Sequence, residues 1–270
     1  MTNQTATVPK ASELVFPAAS PLCSLKQRVG ITDIEVTYSR PGIKGRSIFG
    51  GLVPYGKLWR MGANQATKIT LSTPVKLNGH AVPAGTYTLF SIPGKDEWTL
   101  IVNKELEHMG TTKYDEKTDL VRFTVKPHTL DHVVETLRIE LEPVSDTAAS
   151  LAISWEKTKL ALKIEVDFID ALTERVEAVM SSDQAGKPFF QAAQLYLNHG
   201  RDMKKANEWI DAAIAERPIF AFYFFKAQIL ENLGDKSAAL AAAKEAHALA
   251  IKVEQNAFAE TIDAYIKKLS

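Results

Sequence analysis

Apolar and polar residues alternate with a period of two from Leu22 to about Asp170. Ile34, Val36 and Tyr38 interleave with Asp33, Glu35 and Thr37, and Ile69 and Leu71 interleave with Lys68 and Thr70, so each set predicts a strand with one buried face. VKLNGHAV predicts a hairpin, because Asn78-Gly79 suits a tight primed turn in which both central residues take positive φ. Pro83-Ala84-Gly85 leads into TYTLFSI, Pro93-Gly94-Lys95-Asp96 turns the chain again, and WTLIV (Trp98 to Val102) is the expected partner. Further strands are predicted at LVRFTVK (Leu120 to Lys126), at Leu137, Ile139 and Leu141, at Leu151 and Ile153, and at Leu160, Leu162, Ile164 and Val166. Many short strands separated by turn signals indicate an antiparallel sandwich or barrel, and the β-sandwich is the expectation taken forward.

Beyond Asp170 the pattern turns helical, with Ala206, Ile210, Ala213 and Ile214 on one face. An internal repeat appears there. Ala193, Gln194, Asn198 and Gly200 recur 34 residues later as Ala227, Gln228, Asn232 and Gly234, which is the tetratricopeptide period. Downstream of the glycines the displacement falls to 33, so one residue is gained or lost at the turn. Two helix pairs are few for a stacked array, which predicts flanking helices near Ala171 to Ser181 and Asn256 to Leu269. The fold class expected is therefore α+β and multidomain: an N-terminal extension (residues 1–21), an antiparallel β-sandwich (22–170) and a tetratricopeptide-like α-helical domain (171–270).

Composition narrows the function classes. Lysine plus arginine and aspartate plus glutamate are both 32, so no global charge draws the chain to nucleic acid, and none is expected as a partner. No apolar run approaches the roughly 20 residues of a membrane span. Cys23 is the only cysteine, which excludes an internal disulfide and a cysteine-based zinc site. Met1 to Lys10 lacks the basic region and apolar core of a leader. If the start is trimmed, a periplasmic or otherwise exported location is expected; if the sequence is complete as written, a cytoplasmic one.

One stretch follows neither period. YSRPGIKGRSIFGGLVPYGKLWRMGANQAT, from Tyr38 to Thr67, is long for a loop in a compact domain, yet Ile43, Ile48, Phe49, Leu52, Val53, Leu58 and Trp59 make it too apolar for disorder. An ordered, self-packed loop is predicted. Arg40, Arg46 and Arg60 offer rigid donor forks suited to a carboxylate or phosphate, with Asn64 as a neutral donor and Tyr38 and Trp59 as walls. Only Asp33 and Glu35 are acidic from Gly30 through Asn78, and on an alternating strand both point away from Tyr38. A second reading has these arginines bonding loop carbonyls and holding the loop onto the sheet.

Other chemistry is thinner. His128 and His132 are four apart, but Pro127 and the flanking strands oppose a helix that would bring them together as metal ligands, so no metal or other cofactor is expected. His108, Tyr114 and Asp115 would serve as proton donors or acceptors only if their loop folded over the arginines. The chain contains no GxSxG, HExxH, Walker phosphate loop or GxGxxG after a strand.

YSRP, KGR, IFG, LVPYGKLWR and GAN, followed by PAGTYTLFSIPGKDEWTLIVNK and YDEK, resemble domain-of-unknown-function family 2911 over roughly Leu22 to Asp167. That family occurs in bacterial proteins that often carry export signals, and longer members have a similar helical tail. The resemblance implies no established activity. It also implies a glutamate where this chain has Gln65, and a tryptophan where it has Met109. Two functions stay open: a non-enzymatic binding and assembly module, with a small anionic ligand at the loop and a protein partner on the helices; or an enzyme acting on a small anionic or carbohydrate substrate at the same loop.

Overall fold

The computed structural model describes residues 16–270. The leader expectation for Met1 to Lys10 and most of the expected N-terminal extension lie outside them. The chain divides into two compact units, the second beginning at Ile169.

Among the described residues, ten antiparallel strands build the first unit: β1 (Leu22–Val29), β2 (Thr32–Ser39), β3 (Thr67–Leu71), β4 (Val75–Leu77), β5 (His80–Val82), β6 (Gly85–Ile92), β7 (Trp98–Asn103), β8 (Asp119–Val125), β9 (His128–Ser145) and β10 (Ala148–Glu165). They form a six-stranded sheet, β1-β2-β3-β6-β7-β8, and a four-stranded sheet, β5-β4-β10-β9. Each β2 residue that the alternation assigns inward, Ile34, Val36 and Tyr38, is buried. The turn between β4 and β5 has Asn78 at φ 47° and Gly79 at φ 83°, the left-handed pair that the Asn-Gly dipeptide favours. Tyr38 ties the two sheets together, its hydroxyl accepting from the Ile139 N–H at 2.9 Å. The expected sandwich is borne out.

One expectation changes. The stretches around Leu151 and Leu160 are not separate short strands but one 18-residue strand, β10, which pairs with the equally long β9 from Ala148 to Lys159 and with β4 at Ile164 and Glu165. Leu151, Ile153 and Trp155 are buried at odd positions, whereas Leu160, Leu162 and Ile164 are buried at even ones. The phase shift is absorbed by a bulge at Glu156, which sits at φ 56° between two register shifts. A bulge keeps the ladder continuous while inverting the alternation, and a period count reads that inversion as a break.

The second unit holds six helices: α1 (Ile169–Ser181), α2 (Phe189–Asn198), α3 (Met203–Glu216), α4 (Phe220–Asn232), α5 (Lys236–Lys252) and α6 (Asn256–Leu269). Helix α4 is shared between two cores. Phe222 and Ile229 pack with Ala193, Tyr196 and Ile210, while Ala227 packs with the alanines of α5 and with Ile262. Small residues dominate the second core because close helix approach leaves room only for methyl groups. The slip in the repeat is explained locally. Gly200 and Gly234 both take left-handed φ after their helices, and Asp202 and Asp235 both cap the next helix with their carboxylates, but only the first turn inserts a residue, Arg201, between glycine and aspartate. Arg201 uses that position to pair with Asp170.

Candidate functional site

The segment between β2 and β3 is ordered by its own turns and by both sheets. Ile48 O accepts from Val53 N–H at 2.8 Å, closing a tight loop around Phe49. Trp59 and Ser91 exchange backbone hydrogen bonds at 2.7 and 2.9 Å, so this part of the segment behaves as a fragment of strand against β6. Ile43 N–H donates to Glu135 O, and Leu137 N–H donates to Pro41 O, fixing the segment's start to β9. Phe49 and Trp59 then enter an aromatic cluster with Trp98 and Trp155. The Trp59 and Trp155 rings stack with centroids 5.9 Å apart, and Phe49 meets Trp98 edge-on at 4.7 Å. Leu58 packs on a neighbouring cluster with Phe90 and Ile101.

A cavity of about 250 Å³ opens beside this cluster, with Arg46, Arg60, Trp59 and Trp155 in its lining. The three arginines have different environments. Arg40 donates from Nε to Leu137 O at 3.1 Å, and it does not line the cavity. Arg46 donates from Nε to Ile43 O at 2.9 Å and from Nη2 to Gly42 O at 2.7 Å, which leaves three of its five N–H groups free. Arg60 is half-buried, its Nε is sealed from solvent with no acceptor, and no carboxylate among the described residues pairs with it. Burial lowers its pKa from the usual arginine value, though a guanidinium stays charged at neutral pH.

The remaining site candidates lie around the cavity rather than in its wall. Asn64, at φ 56°, donates to Ser20 O and Ser39 Oγ, both at 3.3 Å. Tyr38 is occupied with Ile139. Between Arg60 and Asn64, Met61 is fully buried at φ 55°, a left-handed conformation that costs on the order of 1 kcal/mol or more for a residue with a side chain. Those two left-handed residues present Gly62 and Ala63 to the cavity. The nearest acid in sequence terms does not compensate the arginines: Asp33 pairs with Arg28, and Glu35 accepts from Ser24. Glu135, from β9, reaches the segment but accepts from the Lys44 N–H.

Sequence reasoning missed Trp155. It lies 95 residues from Arg60, and its neighbours mark it only as an inward position of a strand. In the fold it is 2% exposed, it lines the same cavity, and its indole N–H also has no acceptor.

The proton-handling candidates are engaged elsewhere. His108 is 3% exposed with its ring edge-on to Phe90 and neither ring nitrogen hydrogen-bonded. Tyr114 donates to Asp119 at 2.6 Å and also contacts Arg122; burial, then the Asp119 carboxylate, pushes its pKa up to about 12. Asp115 caps the 3-10 turn at Glu116–Thr118. His128 and His132 both lie on β9, and His132 Nδ1 sits 2.7 Å from Asp131 Oδ1. Among the described residues no group of three or more His, Cys, Asp or Glu could hold a metal. No helix among them is long and apolar enough to cross a membrane. Gln65 and Met109, where the resemblance implies glutamate and tryptophan, face each other in an isolated antiparallel bridge on the surface, outside the cavity wall.

Neither a curated protein nor a solved structure matches the chain. A family model described as "Protein of unknown function (DUF2911)" matches residues 20–164, which takes in both sheets but for the last residue of β10, and the whole cavity lining. The chain therefore belongs to the DUF2911 family, through its β-sandwich.

Proposed function

We infer that the sandwich is a non-enzymatic binding module whose cavity holds a small anion, with Arg60 as the principal donor and Arg46 beside it. The observation that carries this is the Arg60 guanidinium, half-buried, without an acceptor at Nε and without a carboxylate partner among the described residues. A buried cation is costly unless something compensates it, and two arginines in one lining with no acid among the described lining residues leave that to a ligand. The binding role is favoured over catalysis because the described lining residues include no His, Asp, Glu, Lys, Tyr or Cys to move a proton at neutral pH. The helical domain is read as a scaffold for a partner protein. A groove of about 550 Å³, with Phe189, Phe190 and Phe222 beside Lys187 and Arg217, supports that reading.

The test is a thermal-shift titration at constant ionic strength with phosphate, sulfate and carboxylates. A saturable rise in Tm for the wild type, lost in Arg60→Gln, is expected. Stabilisation by no anion leaves the arginines as structural residues and the binding reading wrong.

A further inference from the structure

We propose that the cavity selects a small organic monoanion, a carboxylate on a short apolar body that carries no ammonium group. This rests on the anion-binding reading and adds the ligand class. Two buried donors without acceptors, Arg60 Nε and Trp155 Nε1, belong to residues of one lining. Both groups donate and neither accepts, so their natural complement is an acceptor-only group with more than one oxygen, as an ionised carboxylate is.

The rest of the wall decides what the carboxylate is attached to. Pro41, Leu52, Val53 and Ala63 are apolar, and among the described lining residues the only side-chain hydroxyl is that of Ser20. A sugar ring would lose most of its hydroxyl hydrogen bonds against such a wall, so a carbohydrate is disfavoured. The same surface rewards an alkyl body with burial. No described lining residue is acidic, so an α- or ω-ammonium would enter beside two guanidinium groups with no carboxylate among those residues to pair with, which disfavours amino acids. Size sets the last limit. About 250 Å³ corresponds to roughly eight waters, below the range typical of drug-sized ligands, so the body has only a few carbons.

Isothermal titration calorimetry on the full chain, at constant ionic strength, tests this with acetate, butyrate, 4-aminobutyrate and inorganic phosphate. Each added methylene is expected to tighten binding about fourfold, so butyrate should bind at least tenfold more tightly than acetate. 4-Aminobutyrate should bind at least tenfold more weakly than butyrate. Trp155→Phe, which keeps an aromatic ring and removes the N–H, should weaken butyrate several-fold; if that variant does not fold, the ligand series on the wild type decides alone. Equal affinity for acetate and butyrate, equal affinity for butyrate and its amino analogue, or phosphate binding more tightly than butyrate overturns this inference while leaving an anion site in place. Binding of none of the four overturns both.

Discussion

Arg40 and Arg60 carry the same side chain into the same segment and end in opposite environments. Arg40 has a carbonyl acceptor on β9, and Arg60 Nε has none among the described residues. Arg40→Ala should therefore cost about 1–3 kcal/mol, because it removes a charged donor and orphans Leu137 O, and added anions should not restore it. Arg60→Met should do the reverse. Without ligand it removes a poorly solvated charge and should leave stability unchanged or raise it by about 1 kcal/mol, with loss of any response to carboxylate. Chemical denaturation of the two variants with and without butyrate separates these outcomes. Tyr114 gives a pH-dependent prediction. Its folded-state pKa is raised to about 12 from an ordinary value of 10, so its contribution is fully present below pH 10 and is lost as pH rises towards 12. The stability difference between wild type and Tyr114→Phe should be flat below pH 10 and shrink above it; a difference that grows with pH would contradict the assignment. At this scale the sequence was only half legible. That arginines in a glycine-rich loop without acids matter could be read directly, but not which of them finds a carbonyl: Arg46 bonds Ile43 and Gly42 within its own segment, whereas Arg40 bonds Leu137, 97 residues away. Trp155 could not be found at all, because nothing local distinguishes a cavity-lining indole from a core one.

Elements were more legible, since each is set by periods and turn chemistry written in adjacent residues. The hairpin at Asn78-Gly79, the alternation of β2 and the paired Gly and Asp of the helical turns appear where their residues place them. The exception is β10, whose bulge reverses its buried phase at Glu156. Glu156→Gly should be neutral or slightly stabilising, because glycine adopts φ 56° without steric cost, whereas Glu156→Val should destabilise by about 1 kcal/mol or more. Deleting Glu156 would leave Trp155 and Leu160 an even number of residues apart, so both can stay inward on a regular strand, and the deletion should cost only what the changed twist and pairing with β9 cost. In the helical unit, Asp235→Ala removes the acceptor for Ala238 N–H and should cost about 1 kcal/mol, measurable as a lower Tm.

For the whole molecule, zero formal charge combined with two arginines in a cavity with no acid among its described lining residues means that the anion attraction proposed above is local, not global. Binding should then depend on ligand shape and methylene count more than on ionic strength. The four tryptophans, Trp59, Trp98, Trp155 and Trp209, give a direct readout through their indole N–H resonances, and Arg60 gives another through Nε–H. A ¹H–¹⁵N spectrum of the full chain titrated with butyrate should show the Trp155 indole and the Arg60 Nε–H moving saturably with a common Kd while the Trp209 indole, in the helical unit, stays still. If neither donor shifts, or if all four indoles drift together without saturation, the cavity is not an anion site.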